Sequence, residues 1–89
     1  MRKEEIIKSG KQIIIYSTVW CPDCKRVKKF FGEQRLPYVN IDIEQDPEAM
    51  AFVEKVNEGK RIIPTIICPD GTILVEPSNA QLAEKLGLQ

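Results

Sequence analysis

Between residues 12 and 43 the apolar pattern changes period twice, and that double change restricts the chain to few folds. Residues 12–17 carry the unbroken run Ile13-Ile14-Ile15-Tyr16, which suits a strand covered on both faces. Residues 22–34 then place Cys24, Val27, Phe30 and Phe31 at three- and four-residue spacing, the period of a helix with one buried side. Residues 38–43 alternate apolar and polar from Val39 on, as a second strand does. Strand, helix and strand over about thirty residues form a βαβ unit, with a right-handed crossover and parallel pairing.

The junction of the first strand and first helix holds Thr18-Val19-Trp20-Cys21-Pro22-Asp23-Cys24-Lys25-Arg26. Two cysteines three positions apart at a helix start point to chemistry rather than scaffolding. The first N–H groups of a helix have no partner within it and carry about half a positive charge. Cys21 falls at the N-cap, where its thiolate can accept hydrogen bonds from them. Pro22 takes the first helical position, where a missing N–H costs nothing. In such motifs the first thiol can titrate between roughly 3.5 and 7.5 instead of about 8.5. Cys21 is therefore the expected nucleophile and Cys24, one turn on, the expected resolving thiol. Asp23 brings a like charge close to both sulfurs and is expected to hold the thiolate back. Lys25, Arg26, Lys28 and Lys29 form a solvated face, or Lys25 or Arg26 helps to keep Cys21 ionised. Lys28 and Lys29 lie too far along for that role, since surface charge is screened over about 10 Å.

Composition narrows the reading. Eighty-nine residues make one domain, residues 1–89, with a modest core. Thirteen basic residues balance thirteen acidic ones, so no nucleic-acid field is expected. The charged start Met1-Arg2-Lys3-Glu4-Glu5 lacks the apolar region of a signal peptide, and no apolar run nears the ~18 residues of a membrane span. A cytoplasmic location follows as the expectation, and there a close cysteine pair is catalytic or metal-binding. Three cysteines and no histidine leave a single-chain zinc site short of ligands, so no metal is expected. A cluster shared between two chains stays open.

Residues 1–10 are polar apart from Ile6-Ile7 and read as a frayed turn or a short docking segment. Past the second strand, Asp46-Pro47-Glu48 is a helix start, and Ala49, Phe52, Val53 and Val56 form its buried stripe up to Gly59. Lys60-Arg61-Ile62-Ile63-Pro64-Thr65-Ile66-Ile67-Cys68 puts a proline at the mouth of an apolar strand. The turn Pro69-Asp70-Gly71 leads to a returning strand over residues 72–75, giving an antiparallel hairpin. Ser78 and Gln81 form a capping box for a last helix that buries Leu82, Ala83 and Leu86. Cys68, among isoleucines, reads as a buried inert thiol.

The order β-α-β-α-β-β-α, with Cys-x-x-Cys after the first strand and Ile63-Pro64-Thr65 before the third, resembles the glutaredoxin form of the thioredoxin fold. Val56-Asn57-Glu58-Gly59-Lys60-Arg61, Pro69-Asp70-Gly71-Thr72 and Pro77-Ser78 are similar to stretches of mycoredoxins and related bacterial glutaredoxin-like proteins. The resemblance implies an α/β fold with a four-stranded mixed sheet flanked by three helices. It implies a thiol–disulfide oxidoreductase acting as a monomer, with no tightly bound cofactor and a low-molecular-weight thiol as co-substrate. Its partners would be disulfide-containing proteins and a small thiol or separate reductase, without nucleic acid or membrane. Two other roles stand beside it: an electron donor committed to one enzyme, and a dimeric iron–sulfur carrier built through Cys21.

By the same resemblance Pro64 is a cis proline facing the cysteines and presents the backbone of Ile63 to an extended substrate. Trp20, Pro22, Asp23, Arg61 and Ser78 complete the expected substrate site. Two positions depart from the glutathione-using pattern. A lysine commonly stands three residues before the nucleophile, where this chain has Thr18. A glycine-rich loop ending in an acid commonly precedes the last helix, where this chain has Glu76-Pro77-Ser78-Asn79. Both departures remove charge complementarity to glutathione, so weak use of it is expected.

Overall fold

A computed structural model describes residues 12–88; the expectations for residues 1–10 lie outside them. Four strands, β1 (Ile13–Ser17), β2 (Tyr38–Asp42), β3 (Thr65–Ile67) and β4 (Ile73–Val75), pair in the order β2-β1-β3-β4. Three helices, α1 (Pro22–Glu33), α2 (Pro47–Val56) and α3 (Asn79–Leu86), pack on the sheet. β1 runs parallel to β2 and antiparallel to β3, and β3 and β4 form the hairpin. The mixed four-stranded sheet and its three helices match the expected fold.

The unbroken apolar run of β1 has a physical reason. β1 is bonded on both edges, and its alternate side chains enter separate cores. Ile13 and Ile15 pack with Val27, Phe31, Leu36, Ile66, Cys68, Leu82 and Leu86, between the sheet and α1 and α3. Tyr16, with Ile14 partly buried beside it, packs with Ile43, Ala49 and Val53 under α2. Each fully buried isoleucine or phenylalanine contributes about 1.5–3 kcal/mol. β1 is thus the element on which both cores are built, and the cysteine motif begins at its end.

Each helix starts at the cap expected of it. Cys21 caps α1, Asp46 accepts from the Ala49 N–H at 3.1 Å to cap α2, and Ser78 with Gln81 closes the full capping box of α3. α2 ends at Val56, and the chain leaves it through Glu58 and Gly59, both at positive φ, with the Gly59 N–H donating to the Glu54 carbonyl at 2.6 Å. Strand ends fall a residue inside the predicted ones, so Cys68 sits just past β3, where its N–H donates to the Thr72 carbonyl at 2.8 Å.

Candidate functional site

Cys21 holds an extended conformation, φ −79° and ψ 116°, which leaves its side chain turned back over the first turn of α1. The Cys24 N–H donates to Cys21 Sγ at 3.1 Å, so a first-turn amide is aimed at that sulfur. Pro22 occupies the first helical position, as its missing N–H allows. The two thiols are unequal. Cys21 keeps 5% of its surface exposed, whereas Cys24 has none. Burial, then the hydrogen bond and charge of Cys21, push the Cys24 thiol up to about 12, against the opposing pull of a backbone hydrogen bond at Thr18 and the Lys28 ammonium.

Two further loops carry residues expected in the site, and Arg26 ties the second of them to α1. The Ile63–Pro64 peptide is cis, and the Pro64 carbonyl accepts from the Glu76 N–H at 2.9 Å. Arg26 on α1 donates to the Pro77 carbonyl at 2.9 Å and to Asn79 Oδ1 at 2.6 Å, and its Nε lies 3.7 Å from Asp23 Oδ1. The guanidinium therefore ties α1 to the start of α3 instead of standing free beside Cys21, and it answers the charge of Asp23 within one helical turn. Ser78, predicted in the substrate site, has its hydroxyl accepting from the Gln81 N–H at 3.1 Å as a helix cap. Thr65, directly after Pro64, donates to the Ile62 carbonyl at 2.7 Å and accepts from Asn57 Nδ2 at 3.2 Å. That buried pair braces the proline loop against the end of α2.

Beside the motif lies a cleft of about 170 Å³ lined by Thr18, Trp20, Ile43, Glu44, Met50, Arg61 and Ile63. Trp20, Arg61 and Ile63 were singled out in the sequence, and the fold brings them together here. Trp20 is 62% exposed, and its Nε1–H donates to Glu44 Oε1 at 2.9 Å. Arg61 Nε lies 3.6 Å from Glu54 Oε2. Thr18 Oγ1 is buried with no hydrogen-bond partner among the described residues. Glu44, Ile43 and Met50 escaped sequence reasoning because only strand register places them. Ser17 pairs with Asp42, and the Ile43 N–H donates to the Ser17 carbonyl at 3.0 Å, which sets residues 43 and 44 alongside the Cys21 loop.

The sequence model described as Glutaredoxin matches residues 13–73, from the first strand to the second strand of the hairpin. The chain belongs to the glutaredoxin family. It is 40% identical over 74 residues to mycoredoxin 1 of Corynebacterium glutamicum, covering 83% of this chain and 91% of that one. It is 41% identical over 59 residues to the glutaredoxin-like protein NrdH of Lactococcus lactis, covering 65% of this chain and 78% of that one. Among solved structures, the thioredoxin-like protein BC3987 in a mutant form superposes with a TM-score of 0.78 over 89% of this chain and 99% of that one, at 24% identity, which speaks for the fold. This glutaredoxin is a thiol–disulfide oxidoreductase. Its reaction involves disulfide substrates and a thiol or reductase that returns the electrons. Among the described residues no helix is long and apolar enough to cross a membrane.

Proposed function

We propose that this glutaredoxin reduces protein disulfides and their mixed disulfides with a small thiol, Cys21 attacking and Cys24 resolving. The inequality of the two thiols carries the assignment: Cys21 caps the helix and keeps 5% of its surface exposed, while Cys24 is fully buried and its thiol is pushed up to about 12. The Cys21 thiolate attacks one sulfur of the target, forming a mixed disulfide and releasing the other sulfur as a thiol. Cys24 then attacks the Cys21 sulfur and the second substrate sulfur leaves, so the cysteine pair is oxidised by two electrons and the target disulfide is reduced by two. On a mixed disulfide with a small thiol, a second small thiol can instead attack the small-thiol sulfur held on Cys21, so that Cys21 leaves as a thiolate and the two small thiols end as their own disulfide. The backbone at Ile63, before Pro64, would pair with an extended substrate, with Trp20, Pro22 and Asp23 flanking the bond under attack.

The cleft supports a small thiol whose far end is not an anion. Thr18 stands where a lysine would bind a carboxylate, Glu44 adds negative charge at the rim, and Arg61 already faces Glu54. Stopped-flow exchange with Cys21→Ser and Cys24→Ser variants, followed by steady-state assays with glutathione and uncharged thiols, tests both parts. Cys21→Ser should lose all exchange, and Cys24→Ser should keep exchange with small-thiol mixed disulfides. Faster alkylation of Cys24 than Cys21 at neutral pH would reverse the assignment, and saturating high turnover at low glutathione would defeat the co-substrate reading.

A second reading, a donor committed to one enzyme, is favoured by the exposed apolar pair Val19 and Trp20, 70% and 62% exposed, next to Cys21. Turnover with a separate disulfide reductase but with none of the small thiols would select it.

A further inference from the structure

Lys28 stands one helical turn beyond Cys24 on α1, so the two side chains share a side of the helix. Its stem is half-buried, and Nζ donates toward Ser17 Oγ, 3.5 Å away at the end of β1. Ser17 is almost completely buried, and its hydroxyl donates in turn to Asn40 Oδ1 on β2 at 2.6 Å. Each donor in this chain points the same way, from ammonium to hydroxyl to amide oxygen, so the three groups polarise one another and fix the cation's place. The sequence offered the i and i+4 spacing but not the receiving pair, since Ser17 and Asn40 belong to different strands.

We infer that Lys28, held by Ser17 and Asn40, is a positioning residue for the resolving step, its ammonium favouring the Cys24 thiolate as that thiolate attacks the mixed disulfide on Cys21. The inference rests on the proposed roles of the two cysteines. In the step, Cys24 loses its proton to solvent, its sulfur bonds to Cys21 Sγ, and the bond from Cys21 to the substrate sulfur breaks. The substrate sulfur leaves as a thiolate and takes up a proton.

The groups that act on the Cys24 thiol are Cys21 and Lys28 on its own helix and the backbone of Thr18 beyond the end of β1. Burial and Cys21 oppose its ionisation, and Lys28 and Thr18 favour it. Once Cys21 is tied up in a mixed disulfide it carries no charge. The repulsion from Cys21 then vanishes, and Lys28 is the charge that remains acting on Cys24. The cation therefore matters most at the moment when Cys24 must react.

An aromatic disulfide that releases a coloured thiolate, mixed with equimolar reduced protein in a stopped-flow cell, separates the two steps. The first burst reports attack by Cys21, and the second reports release by Cys24. Lys28→Met should slow the second burst roughly threefold to fourfold near neutral pH, since a one-unit rise cuts the thiolate fraction tenfold while the more basic thiolate attacks about threefold faster, and it should move the pH midpoint upward. The first burst should stay within about twofold, and Lys28→Arg should restore most of the second. Ser17→Ala, which keeps the charge but loosens its anchor, should slow the second burst less, and it also serves if Lys28→Met folds poorly. Equal slowing of both bursts, or an unchanged second burst in Lys28→Met, overturns the inference. A second burst that persists in Cys24→Ser would instead overturn the underlying assignment of Cys24.

Discussion

Replacing Thr65 by valine tests how firmly the proline loop is built into the fold. Thr65 is fully buried at the start of β3, and valine keeps its shape while turning the hydroxyl into a methyl. Two hydrogen bonds disappear, one to the Ile62 carbonyl at 2.7 Å and one from Asn57 Nδ2 at 3.2 Å. Each is worth about 0.5–1.5 kcal/mol net, and the Ile62 carbonyl loses a partner close to the core. The Asn57 amide keeps the Val53 carbonyl at 2.9 Å, which limits the penalty on that side. The added methyl returns up to about 0.8 kcal/mol of burial. The expected loss is therefore about 1–2 kcal/mol, or roughly 4–16 °C in Tm for a domain of this size. Urea unfolding should show a lower midpoint with an unchanged slope. A double-mutant cycle with Asn57→Ala should show coupling between the two residues. Because Ile62 and Ile63 lose their brace, reduction of a protein disulfide should slow while alkylation of Cys21 does not. A stability change under about 0.5 kcal/mol, or strictly additive single variants, would refute the reasoning.

Cys68→Ala should keep full turnover, and alkylation of the native protein should miss Cys68, because it is buried and burial pushes its thiol up; mass spectrometry after a thiol label reads this directly. The dithiol protein should lose stability as pH rises past about 9.0, since above that ordinary value the unfolded chain gives up protons that folded Cys24 retains until about 12. Tm against pH in the presence of reductant measures the decline, and Cys24→Ala should flatten it. Glu44→Gln should raise kcat/KM with glutathione several-fold while leaving an uncharged thiol unaffected, since a single like charge at close range in water is worth about 1 kcal/mol.

The elements were legible because their signals are local. Cys21, Asp46 and Ser78 each mark a helix start by side-chain chemistry that acts within three residues, and all three form the expected caps. The isoleucines of β1 announced a strand covered on two faces, which the two separate cores require. The cysteine pair at a helix start was readable from spacing, whereas the cis peptide at Pro64 was expected from the resemblance to glutaredoxins. Glu44, Met50 and the Asn40–Ser17–Lys28 chain were not, because each depends on pairing between residues more than ten positions apart. Arg26 illustrates the other limit. Its position next to the motif pointed to the thiols, but the nearby Pro77 carbonyl and Asn79 amide compete for the same guanidinium and hold it.

The cleft joins two kinds of wall. Ile43, Met50 and Ile63 belong to the core beneath α2, so changing them disturbs packing. Trp20, Glu44 and Arg61 are exposed and belong to neither core. Surface changes of that kind are nearly neutral for folding, commonly within about 0.5 kcal/mol. Selection can therefore exchange these three side chains freely while the reactive sulfurs and the scaffold stay as they are. Under the proposed role of this cleft, a lineage that changes its cellular thiol could re-fit this protein through a few substitutions on the exposed wall, without passing through an unfolded ancestor.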